Sequence, residues 1–284
     1  MMNQELTAAR ILEKGGAPLQ DGLNWLQRAL SNPCSRAHLP RIMLAHVPEP
    51  SRVRSLSLGS YSGPHARMVR RDICAACNSG RGEHHGIPGE PEQGPEITLS
   101  HVAVSGMTNL VPTALTSSAG AVRTVVADLA FGAVTGAVDG RVLSSSVRLS
   151  GRFRLAQACC PSIDGRSSSG PAREAVIAGE FETIIHSATG TAVFRVEPND
   201  ARGTAIELTS LAFHASTRGD AIKTRVNVGH VPSWERLEHV AETVLNDPTT
   251  KAVLIGKVSA AVNDTALRER LSRIVSQHAR AAGL

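Results

Sequence analysis

Apolar and polar residues alternate along the middle of the chain. Val147, Leu149, Phe153 and Leu155 fall on one side of an extended backbone, with Arg148, Ser150, Arg152 and Arg154 on the other. Ile222, Thr224, Val226 and Val228 alternate in the same way with Lys223, Arg225 and Asn227. A period of two predicts strands with one buried face. Strands are expected over 97–104, 142–155, 175–186, 191–197, 204–214 and 221–228. The turn-forming residues Pro198, Asn199, Asp200 and Gly203 make a hairpin of the fourth and fifth.

One segment among these strands carries a different period. Val122, Val125, Val126, Leu129, Ala130 and Ala133 recur at helical spacing, behind Ser117 and Ser118 as capping residues. A helix is therefore expected over 119–138. It is apolar nearly all round, which implies burial on most sides. An antiparallel sheet wrapped around a central helix, an α+β architecture, follows from that combination.

The flanks read differently. Residues 1–31 carry two short helical patterns broken at Gly15 and Gly16. Residues 32–94 are rich in Pro, Gly, Ser and Arg and lack periodicity, as expected of a basic linker without regular structure. The sheet-and-helix unit fills 95–218. Beyond it, 219–284 form a C-terminal extension. There a stripe of Trp234, Leu237, Val240, Ala241, Val244 and Leu245 predicts a helix, 251–258 a strand, and Asp264 caps a last helix.

Composition narrows the function classes. Aromatic residues make up only 3% of the 284-residue chain, which leaves few platforms for stacking bases or sugars. The net charge of +5 is local: nine arginines stand against three acids between Arg28 and Gly86. That segment could meet an anionic partner, nucleic acid included, or be an ordinary solvated arm. No apolar run is long enough for a membrane span. No basic region followed by an apolar stretch opens the chain, so reduced cysteines in a cytoplasmic setting are expected.

Two motifs suggest chemistry. The first is Ala119-Gly120-Ala121-Val122 followed by Val126-Ala127-Asp128-Leu129-Ala130-Phe131-Gly132, with Ser146 to Phe153 downstream. It resembles the signature of hotdog-fold thioesterases of the phenylacetate-pathway type, over about 120 residues. The resemblance implies an acyl thioester hydrolase, acting on acyl-CoA or an acyl-carrier thioester and needing no cofactor. Asp128 would be base or nucleophile, and amides near Gly120 and Ala121 the oxyanion donors. Arg148, Arg152, Arg154 and Ser146 would hold the substrate. Eight helical residues span roughly 12 Å, so one helix cannot bring both parts to one carbonyl. A homo-oligomer with shared sites at a dimer interface is implied. Ala119 stands where the family has His or Asn, which keeps open a non-catalytic relative that binds an acyl or other apolar ligand, or serves in assembly.

The second motif is Cys74-Ala-Ala-Cys77 with His84, which has the form of a zinc half-site lacking its other ligands. A zinc- and nucleic-acid-binding role through 28–86 would rest on it.

Overall fold

A computed structural model describes residues 17–35, 37–47, 49–77, 94–118, 123–132, 134, 136–159, 173–197, 205–217, 219–229 and 234–281. Two antiparallel sheets form the framework of the described residues. The larger has the order β1-β2-β7-β8-β11, from Ser51–Ser60, Glu96–Ser105, Val147–Cys159, Arg173–Ile185 and Ile222–Asn227. The smaller has the order β10-β9-β4-β3, from Ala205–His214, Thr189–Glu197, Arg123–Phe131 and Leu110–Ser118. A two-stranded ribbon pairs β5 (Ala137–Val138) with β6 (Arg141–Val142).

Each sheet has one buried face, as the alternation requires. On β7, Val147, Leu149, Phe153 and Leu155 are buried while Arg148, Arg152 and Arg154 are exposed. On β4, Ala127, Leu129 and Phe131 are buried, and Asp128 between them is exposed.

Six helices cover the sheets: α1 (Ala17–Ser31), α2 (Leu39–His46), α3 (Ala66–Cys77), α4 (Trp234–Asn246), α5 (Pro248–Val262) and α6 (Thr265–Ala281). Helices α1 and α2 pack on β3, α3 on β7 and β8, and α4 on β11. Helix α5 touches strands of both sheets, β1 and β10. Its start is fixed by Asp247, whose carboxylate accepts the Thr249 N–H at 2.9 Å, with Pro248 in the first turn. The same carboxylate accepts the Tyr61 hydroxyl at 3.1 Å. Burial first, then the Asp247 charge, pushes the Tyr61 phenol up to about 12.

The expected hotdog is therefore absent, and two elements have exchanged roles. The central helix of 119–138 is instead the strand β4 with the β5–β6 ribbon after it. The expected strand of 251–258 lies inside α5, the apolar helix that reaches both sheets. The physical reason is local. Thr124 to Val126 is a β-branched run, which suits a pleated surface, and short apolar runs do not distinguish helix from strand by periodicity alone. Residues 32–94, expected to lack regular structure, contribute α2, β1 and α3, with Ile42, Val69 and Ile73 in the core. Cys74 of α3 is disulfide-bonded to Cys159 at the end of β7, with a Cα–Cα distance of 5.7 Å. That pairing corrects the expectation of reduced thiols at these two positions.

Sheet edges expose unpaired main-chain groups, and helix side chains take up several here. The Ile206 and Leu208 N–H groups of β10 donate to Ser276 Oγ and Ser272 Oγ of α6 at 3.2 and 2.8 Å. Leu211 and Phe213 donate to Asn263 Oδ1 and Ser259 Oγ, both at 3.0 Å. The donors change from even to odd positions across an irregularity between Leu208 and Ser210, and the acceptors follow in two pairs four residues apart. On β3, Ser31 of α1 donates to the Pro112 carbonyl at 3.2 Å. On β11, Asn246 accepts the Thr224 N–H and donates to its carbonyl.

Candidate functional site

The two sheets meet at the connection from β2 to β3, and an apolar pocket of about 100 Å³ lies beside it. Met43 and Val47 of α2 form one wall, and Ser51, Val53 and Leu56 of β1 the next. Val104, Met107 and Leu110 follow from the connection and the strands it joins. Phe131, Leu211 and the helix residues Val258, Ala261 and Leu271 close it. Among the described lining residues, Ser51 alone has a polar side chain, and none is ionisable. Phe131 is held by the ring of Phe213, edge-on at 5.2 Å. The two methionines are flexible and polarizable, suited to varied apolar shapes.

The rim is fastened by polar contacts. Glu49, between α2 and β1, accepts the Gly106 N–H and the Thr108 hydroxyl of the β2–β3 connection. Gly106 has φ +85°, and a Cβ there would lie 2.2 Å from the Ser146 carbonyl oxygen, so only glycine fits. Asn109, fully buried, donates to the Val134 and Ser144 carbonyls at 2.8 Å and accepts the Val134 N–H at 3.2 Å. This arrangement positions an apolar surface. No acid or base lines the pocket among the described residues.

The residues singled out in the sequence are not gathered there. Asp128 is exposed on β4 and does not line the pocket. Arg148, Arg152 and Arg154 occupy the solvent face of the larger sheet. Arg154 pairs with Glu174 at 2.9 Å and Arg148 with Glu182 at 3.7 Å. Ser146 is buried, its N–H donating to Ser144 Oγ and its carbonyl accepting that hydroxyl. Gly120, Ala121 and His84 lie outside the described residues. Cys74 is committed to its disulfide, Cys77 falls at the end of α3, and no group of metal-binding side chains occurs among the described residues. No described helix is long and apolar enough to cross a membrane.

The pocket residues carry little sequence signal, because apolar lining and apolar core look alike. Two features were readable: the Asp247-Pro248 helix start and the four-residue spacing of Ser259 with Asn263 and of Ser272 with Ser276.

No protein-family model and no curated protein sequence matches the chain. Among solved structures, it is similar in outline to Takeout 1 of Epiphyas postvittana. The TM-score is 0.37 and the identity 10%, over 92% of this chain and 88% of that one. It is similar in the same way to a lipopolysaccharide binding protein, with a TM-score of 0.32 and 9% identity over 87% of this chain. The chain spans 37% of that protein's length. Both superpositions are loose, and no family is assigned from them. Neither neighbour is a hotdog thioesterase. With a strand where the catalytic helix was expected and Asp128 facing solvent, the thioesterase and hydrolase reading is overturned.

Proposed function

We propose that the chain is a non-catalytic binding protein for a small uncharged apolar ligand, such as a short hydrocarbon segment or a single ring. One observation carries this reading: a pocket between two sheets and three helices whose lining holds no ionisable group. Burying apolar surface there is favourable by roughly 25 cal/mol per Å², whereas a carboxylate would be desolvated without a partner. Size limits the ligand. A cavity near 150 Å³ holds benzene, while sites for larger organic molecules run from roughly 300 Å³ upward.

The test is calorimetric titration of the full chain with benzene and with toluene. Saturable binding is expected for the parent. Ala261→Phe, which fills the pocket from α5, should weaken it by about tenfold or more, near 1.4 kcal/mol, with an unchanged circular dichroism spectrum. No binding by the parent, or equal binding by the filled variant, would sink the reading.

A further inference from the structure

Helix α2 forms one wall of the pocket, and its first turn is built on an unusual side chain. His38 sits at the N-cap position, with φ −56° and ψ 116°, and makes no capping bond through its ring. The ring is fully buried, at 0% exposure, and neither Nδ1 nor Nε2 has a hydrogen-bond partner among the described residues. Buried polar atoms are nearly always paired, so a ring with both nitrogens unpaired needs an explanation.

Two charged groups act on it. Arg41 belongs to its own helix and opposes a second positive charge, and Asp139, in the β5–β6 turn, favours one. These two are themselves ion-paired at 3.1 Å. Burial is the largest influence and, with Arg41, holds the imidazole below its ordinary value of 6.5. The positive end of the helix dipole acts in the same direction. The ring is thus neutral at neutral pH, and protonation forces a charge into a fully buried site.

The same short helix carries the pocket wall. Met43 and Val47, four residues apart, project from it into the cavity. The helix has only eight residues, so its stability comes from packing rather than from its own hydrogen bonds. We infer that α2 is an acid-operated wall: a proton on His38 draws the helix start out to solvent, withdraws Met43 and Val47, and opens the pocket. The release of a ligand by this motion rests on the binding reading above; the motion itself does not.

The sign follows from linkage. A folded-state value below the unfolded one leaves the contribution of His38 intact above about pH 6.5, and loses it as pH falls through the lowered value. The experiment is hydrogen–deuterium exchange of the full chain at about pH 7.5 and about pH 5, corrected for intrinsic rates, with benzene release followed in parallel. In the parent, peptides over 39–47 should open about tenfold more per pH unit between about pH 6.5 and the lowered His38 midpoint, while β7 and β8 stay protected. His38→Phe should abolish the acid response. Asp139→Asn, which removes the favourable charge, should move the midpoint to lower pH.

Unchanged protection of α2 in acid, or an acid response retained by His38→Phe, would overturn the inference. Should the Phe variant fail to fold, the His38 ring resonance in the parent decides. It must titrate in step with α2 opening, and titration at the ordinary histidine value without opening refutes the switch. Acid opening of α2 in a chain that never binds benzene or toluene would remove the ligand and leave the switch.

Discussion

Two corners of the molecule treat buried polarity in opposite ways. Along β10, each of four outward N–H groups meets a hydroxyl or amide from α5 or α6 at 2.8–3.2 Å. Around α2, a buried imidazole has no partner and an apolar cavity stands beside the same helix. Native structures rarely leave polar groups unpaired or space unfilled. A matched region is built for stability. A region with both defects holds stability in reserve, and such places are where binding and movement are found.

The largest expected effect breaks the matched side. The Cys74–Cys159 bond fastens α3 to the end of β7 and closes a loop of 85 residues in sequence. Loops of that length are worth about 4 kcal/mol in the chain-entropy account, with about 2–4 typical by measurement. Cys74→Ala combined with Cys159→Ala should cost about 3 kcal/mol in urea unfolding, and peptide mapping of the parent should recover the crosslinked pair. A variant as stable as the parent would refute the staple.

A smaller loss tests the edge directly. Ser272→Ala with Ser276→Ala strips the partners of Ile206 N–H, Leu208 N–H and the Ile206 carbonyl. At about 1 kcal/mol for each serine hydroxyl removed from its partners, the pair should cost about 2 kcal/mol. The freed edge should also self-associate, since an uncovered strand is a template for another. Light scattering at rising concentration checks the second effect independently of the first.

The same contrast explains how much was legible in the sequence. Strands with one wet face announce themselves: Val147 to Leu155 alternates, and its structure follows the pattern residue by residue, because exposure requires polar side chains at every second position. Elements whose less buried face is also rich in small apolar residues lose that signal. Arg123–Phe131 and Pro248–Val262 are both dominated by small and aliphatic residues, and reading the first as helix and the second as strand inverted them. The decisive cues were at the ends rather than in the periodicity, in the Asp247-Pro248 start of α5 and the Thr124-Val125-Val126 run of β4. The hotdog resemblance inherited this error, since its motif needed 119–138 to be helical. Of the candidate site, nothing was legible. Its walls come from five strands, three helices and a connection far apart in sequence, and no local pattern encodes their convergence.

The smallest expected effect differs in sign between the two regions, which makes it the sharpest test of the comparison. Val104→Ile adds one methylene to a residue that lines the cavity, and a β-branched side chain remains suited to β2. Filling empty space should stabilise by up to about 0.8 kcal/mol per buried methylene. It should also weaken benzene binding. Val147→Ile adds the same methylene to a β7 residue that is fully buried and lines no cavity. There the neighbours must move, at a cost of about 1 kcal/mol or more. Urea midpoints for the two variants should therefore shift in opposite directions from the parent. Equal losses at both sites would mean that the pocket corner is packed as tightly as the core. The contrast between the two regions would then fail, and with it the case for a ligand.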